Sequence, residues 1–398
     1  MQSVNNSILT INGGSSGIKF SLYSIAVPLN LVMHGEIKNI ASKNSSLQFT
    51  YVPGVVKSFP LTAGDIGDAA DILVDWLEKE NAFSYLKAIG HRIVHGMQHA
   101  KPELVTESLM DELKKISAYD PEHLPGEIKL IEIIGKRYPA IMQVACFDTS
   151  FHISMPKVAK LLTIPRSYYE KGIQRYGFHG LSYAYLLEEL ERIAGSEAAL
   201  GKIVIAHLGN GASVTAIVDG RSVDTSMGFT PASGLPMSTR TGDLDPGVAL
   251  YFMQQEKMSP EAFNLLINHQ SGLLGLSGTS SDMRELINIK DTDKHAGEAI
   301  DLFCYQAKKW IGSFAAVLGG IDTLVFSGGI GENAPEIRER ICAGLGFLDI
   351  QLDKNSNHNN EPVISSAEKR VTVRVIRTNE ELMIAKLVYS VLNQIIKN

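Results

Sequence analysis

The sequence predicts an α/β protein of two domains, and three observations carry that expectation. Strand-like and helix-like runs alternate along the whole chain. At 398 residues the chain is too long for one ordinary core, since domains run to roughly 100–200 residues. A strand, a glycine-rich turn and a returning strand occur twice, near the N-terminus and near the middle.

The elements follow in order. SILTI (7–11) leads through NGGSSG into IKFSLY (18–23), and both read as strands. Residues 63–80 carry apolar residues at helical spacing, and IMQVACF (141–147) reads as the next strand. A helix is expected at 181–195. KIVIAHL (202–208), GNGA and SVTAIV (213–218) then repeat the first hairpin. A long helix (298–320), a strand DTLVF (322–326), a helix (335–346) and a strand RVTVRVI (370–376) complete the reading. Several strands are apolar at successive positions, as strands covered on both faces must be. The repeated hairpin suggests duplication; two unrelated hairpins are the alternative.

Composition excludes several functions. Hydrophobic residues are 44% and charged residues 20%, normal for a soluble globular chain. The net charge, 37 − 43 = −6, argues against nucleic acid or an anionic membrane as partner. The first basic residue is Lys19, so the charged start of a signal peptide is missing. The most apolar stretch, 311–330, carries Asp322 and several glycines and makes a poor membrane span. Three scattered cysteines without CxxC fit a reduced, cytoplasmic location.

Three glycine loops could bind phosphate. In Asn12-Gly-Gly-Ser-Ser-Gly-Ile-Lys19 the backbone N–H groups can turn to one point, although a tight hairpin turn explains the glycines equally well. His207-Leu-Gly-Asn-Gly211 repeats the idea, with a type I′ turn as the simpler reading. Ser327-Gly-Gly-Ile-Gly-Glu-Asn333 follows a strand and opens a helix. GIGENA (329–334) also matches a dinucleotide fingerprint, but Glu332 would put a carboxylate where pyrophosphate belongs. Polar clusters GHRIVHG (90–96), FDTSFH (147–152), RYGFHG (175–180), STRTGD (238–243) and TNEE (378–381) each suit a structural role alone. Together they hold the arginines, histidine and carboxylates that move a phosphoryl group to an anion. His91, His95 and His99 would share a helical face and could bind zinc there. Gly90, Gly96 and Ile93-Val94 favour strand and turn instead.

These motifs, with DTSMGFTP and SGLLGLSGTSSDMR, occur in an order that resembles the acetate kinase family, within the acetokinases that include propionate and butyrate kinases. The resemblance implies two duplicated ribonuclease-H-like domains around an active-site cleft, the fold of actin, sugar kinases and heat-shock chaperones. The domains would be 1–150, joined by the C-terminal helix 382–398, and 151–381. It implies direct, Mg²⁺-dependent (or Mn²⁺-dependent) transfer from ATP to acetate, giving ADP and acetyl phosphate, in a cytoplasmic homodimer. It assigns Asn12 and Glu380 to the metal, and Asp148, His179 and Arg240 to catalysis. Arg92, Val94, His123, Phe178 and Pro231 would bind the acid. Lys19, His207, Leu208, Gly209, Asn210, Gly211, Asp282, Met283, Arg284, Gly329, Ile330, Gly331, Glu332 and Asn333 would bind ATP.

Three departures from the family pattern stand out. Gly17 replaces a loop serine, Glu122 and Leu124 flank His123 where the family reads PLHN, and MMGTR becomes Pro236-Met-Ser-Thr-Arg240. A carboxylate at 122 near an acyl pocket would repel an anionic substrate unless turned away or paired. Propionate and butyrate kinases, or a non-enzymatic ATP-switched protein on the same scaffold, are the competing readings.

Overall fold

The computed structural model describes residues 6–14 and 17–397, so Ser15 and Ser16 of the first glycine loop lie outside the described residues. Its contacts divide into two units, residues 1–150 with 379–398, and residues 151–378. The join falls at Asn379 rather than at 382, because Asn379 caps the last helix, its Oδ1 accepting the Leu382 N–H.

The first unit holds a sheet of eight strands. They are β1 (Ser7–Gly13), β2 (Ile18–Ser24), β3 (Asn30–Lys38), β4 (Ser46–Tyr51), β5 (Lys57–Pro60), β6 (Leu86–Ile93), β7 (Glu103–Leu104) and β8 (Met142–Phe147). Their spatial order is β5-β4-β3-β2-β1-β6-β8-β7. The second unit holds β9 (Ile203–Leu208), β10 (Ala212–Val218), β11 (Arg221–Thr225), β12 (Thr323–Ser327) and β13 (Thr372–Val375), in the order β11-β10-β9-β12-β13. In each unit a first strand pairs antiparallel with the next and parallel with the fourth of the core, and the fourth pairs parallel with the fifth. That is the ribonuclease-H-like arrangement, present twice.

The first strand of each sheet, β1 and β9, is buried at every position, as apolar runs covered on both faces require. In the first unit the helices Ile66–Lys79 and Leu124–Arg137 cover the sheet and share a core with Leu9, Ile11 and Phe20. In the second, the helix Gly180–Ala194 packs Tyr183, Leu186 and Leu190 on Ile203, Ile205 and Val325. The helix Lys294–Leu318 buries Ala296, Ile300, Phe303, Ala307, Ile311 and Phe314, a stripe at helical spacing. Asp293 caps its start and left-handed Gly319 ends it. No helix among the described residues is long and apolar enough to cross a membrane.

The glycine loops sit at strand ends. Gly17 is a steric requirement here: a Cβ on it would lie 2.7 Å from the Ile37 carbonyl oxygen. The β9–β10 loop is not a type I′ turn, because neither Asn210 nor Gly211 has a positive φ.

Candidate active site

In the first unit the functional side chains gather at the ends of β1, β6 and β8. Arg92, on β6, donates to Asp148 Oδ2 at 2.7 Å and to Asn12 Oδ1 at 3.2 Å. Asn12, at the end of β1, donates in turn to Glu380 Oε2 at 3.2 Å. Four groups separated by up to 368 positions thus form one chain of contacts. Asp148 is fully buried and the Arg92 side chain is 14% exposed, so the pair is screened from bulk water. Burial opposes the guanidinium charge, but Asp148, Glu380 and Glu127 outweigh it and raise the Arg92 pKa. Its Nε is buried without a hydrogen-bond partner, a donor left over for something else.

Val94, just past β6, is buried, and its N–H is taken by both oxygens of Glu127. His123 immediately precedes the helix Leu124–Arg137, with no side-chain cap bond to it, and pairs through Nδ1 with Asp120 Oδ1 at 2.8 Å. Glu122 beside it is half-buried. Lys19 is exposed on β2, opposite Asn12 in the strand register. His91, His95 and His99 do not share a face. His91 bonds Gln143 from within β6, His95 is buried past the strand end, and His99 pairs with Glu103. No metal-binding cluster of three or more such side chains occurs among the described residues.

Glu380 offers a hard carboxylate oxygen beside the Asn12 amide, whose own oxygen accepts from Arg92. Mg²⁺ keeps most of its water and takes only one or two protein ligands beside substrate phosphates, so this sparse pair fits it better than a closed cage would.

In the second unit the groups gather at the ends of β9 and β12. His179 stands in a left-handed conformation, φ 60°, at the start of the helix Gly180–Ala194. Its Nδ1 pairs with Ser213 Oγ at 2.8 Å, which leaves Nε2 pointing at Gly211. A Cβ on Gly211 would meet His179 Nε2 at 3.0 Å and Arg240 Nη1 at 3.8 Å, so the three lie close together. His179 stacks on His207 at 4.5 Å, and His207 Nδ1 is held by Ser182 Oγ, which also meets Thr378. Arg240 donates to the Pro231 carbonyl at 3.1 Å. Its loop is tied to the glycine loop by the Ser238 N–H, given to the Asn210 carbonyl. Phe178 and Pro231 are both buried.

The Ser327–Asn333 motif lies beside this loop. Gly328, at φ 77°, has the Leu208 carbonyl 2.6 Å from where a Cβ would sit. Glu332 Oε1 accepts from the Gly328 and Thr378 N–H groups at 3.0 and 3.1 Å. A carboxylate therefore closes the helix start that a dinucleotide fingerprint would offer to pyrophosphate. Further along, Arg284 and Asn333 line a cavity of about 670 Å³ with Ile287, Asn288, Lys354 and Asn355. Asp282 caps the helix Met283–Ile289 and pairs with Arg284, while Met283 is buried. The last four cavity residues are ones that motif reading missed, because they carry no pattern of their own. Glu127 was missed too, since an acid in a first helical turn reads as an ordinary solvated one.

A model for the acetokinase family matches residues 7–386. The chain is 41% identical to acetate kinase of Rhodopseudomonas palustris over 96% of this chain and 97% of that protein. Against acetate kinase of Halothermothrix orenii it is 40% identical over 95% and 98%. The crystal structure of Porphyromonas gingivalis acetate kinase superposes with a TM-score of 0.87 at 34% identity, covering 97% of this chain and all of that one. A propionate kinase from Francisella tularensis gives 0.88 at 38% identity, covering 96% and 98%.

Proposed function

This chain belongs to the acetokinase family, and on that premise we propose that it transfers the γ-phosphoryl group of ATP to acetate, giving ADP and acetyl phosphate. The observation that carries the proposal is a family match over residues 7–386 in which the arginines, histidine and aspartate the reaction needs are all present.

An acetate oxygen attacks the γ-phosphorus while the bond to the β-phosphate bridging oxygen breaks, and the ADP oxygen leaves with its electron pair. Acetate is ionised at pH 7, so no strong base is needed. The difficulty is bringing two anions together and stabilising charge on the equatorial phosphoryl oxygens. Arg92 would hold the carboxylate, with Asp148 fixing its guanidinium. Arg240 and the Nε2 of His179 would bind the phosphoryl oxygens, with Ser213 setting the imidazole orientation. The His207–Gly211 loop and Lys19 would receive the ATP phosphates, and the Gly329–Asn333 turn with the cavity beside Arg284 the nucleoside. Mg²⁺ held by Asn12 and Glu380 would neutralise charge on the ATP phosphates. Val94 in the first unit, and Phe178 and Pro231 in the second, would each offer apolar surface to the methyl group.

The rest of the reading concerns setting. The helices Pro246–Gln254 and Pro260–His269 bury no residue and expose Leu250, Tyr251, Met253 and Leu265, an apolar face that supports a homodimer. The three cysteines are free and buried, in keeping with a reducing cytoplasm.

Steady-state rates with ATP, Mg²⁺ and C2 to C4 acids test the proposal. Acetate is expected to give the highest kcat/KM; a higher value for propionate or butyrate would move the assignment within the family. Because one methylene separates such substrates by only about 1–3 kcal/mol, the ratio has to be measured. ATP hydrolysis without acyl phosphate would overturn the kinase reading.

A further inference from the structure

Glu127 lies in the first turn of the helix Leu124–Arg137, where an acid ordinarily sits in water near the positive helix end. Here it is only 2% exposed. Both its oxygens face the Val94 N–H, at 3.1 and 3.2 Å. Val94 is the first residue beyond β6, and β6 carries Arg92. From the other side, the Ile93 carbonyl accepts the Asp148 N–H at 2.8 Å. The strand end is thus gripped twice, once by the peptide of a proposed catalytic residue and once by Glu127. A buried amide that loses its acceptor must move to find another.

We propose that Glu127 is a positioning residue for the organic acid, which by holding the Val94 N–H fixes the strand end from which Arg92 and Val94 act. The proposal rests on the carboxylate-kinase reading and adds to it a residue that no motif contains. Burial pushes the Glu127 carboxyl well above the ordinary carboxylate range, opposed by Arg92 and helped by Asp120 and Asp148. A position that disfavours its own charge works as an acceptor of fixed reach rather than as a counter-ion.

Two conservative variants separate reach from charge. Glu127→Gln keeps the length and an acceptor oxygen but cannot ionise. Glu127→Asp keeps the ionisable group but is one methylene shorter and stops short of the Val94 N–H. Kinetics are measured with acid and ATP varied separately. The amide variant is expected within about threefold of the parent in kcat/KM for the acid, and the aspartate variant to lose about tenfold or more with KM for ATP unchanged. An aspartate variant equal to the parent, an amide variant that loses as much as the aspartate, or KM for ATP rising in step with that for the acid overturns the proposal. If the aspartate variant does not fold, the amide variant decides alone, and about a tenfold loss in it is the overturning result. A parent that phosphorylates no C2 to C4 acid overturns the functional reading and this inference with it. An active parent whose variants break the expected order overturns the inference alone.

Discussion

The two sheets share one strand order but finish their strand ends in different chemistry. The first unit uses ions: Arg92, Asp148 and Glu380, linked through Arg92 and Asn12, with the Arg92–Asp148 pair screened from water. The second uses hydroxyls, imidazoles and glycine backbone, with His179, His207, Ser182 and Ser213 gathered beside Arg240. A duplicated scaffold therefore fixes where a site stands without fixing what it is made of. Buried ions are stable only as a set, whereas a hydroxyl–imidazole network can lose a member and persist.

Removing the arginine beside the His207–Gly211 loop should have the largest effect on activity. Arg240→Ala is expected to lower kcat by about 10³-fold or more while KM for ATP holds, the scale at which an arginine serves phosphoryl transfer. Near-normal turnover would take Arg240 out of the chemistry. In the first unit the corresponding change should also strike stability. Arg92→Met leaves Asp148 buried without its cation and should lower unfolding free energy by about 3 kcal/mol, read by denaturant titration, an effect Arg240→Ala should not match. Equal destabilisation by both would erase the contrast.

A third measurement concerns pH. Burial lowers the His91 pKa from 6.5 to about 4, against the raising effect of its hydrogen bond to Gln143 Oε1. Between those values the unfolded chain binds the proton and the folded one does not, so stability is complete above pH 6.5 and falls towards pH 4. The loss from this group is on the order of 3 kcal/mol, and His91→Gln should flatten the curve over that window. A parent and variant with parallel curves would remove His91 from the acid response. The smallest effect is expected from Ser213→Ala, which frees the His179 ring and should reduce kcat about tenfold with folding nearly unchanged. A much larger fall would mean that the hydroxyl–imidazole network is as interdependent as the ionic one.

These contrasts also explain what the sequence made legible. β1, β9 and β12 read correctly because an apolar run covered on both faces has no other explanation. β3, β4 and β5 were not read, since their alternation is broken by His34, Gly35 and Glu36 and by polar edge positions. The helices Leu124–Arg137 and Pro246–Gln254 were missed as well, each opening with proline within its first two positions. Arg92, Asp148, Asn12 and Glu380 stood out as members of polar clusters and a glycine loop, but their individual roles came only through the order of family motifs. No local pattern tells that residues 12 and 380 touch. Glu127 escaped altogether, because burial of a charged side chain belongs to the folded state and leaves no mark on spacing.

The helix Glu380–Lys397 lies across β6 so closely that a Cβ on Gly90 would fall 2.5 Å from Ile384 and 2.6 Å from Val388. A ribosome making this chain releases β1 and β6 first and that helix only after the whole of residues 151–378. The second unit is continuous in sequence, while the first must wait with one flank uncovered. Glu380, arriving on that late helix, makes the joining of Asn12 to its partner one of the closing events in the birth of the molecule.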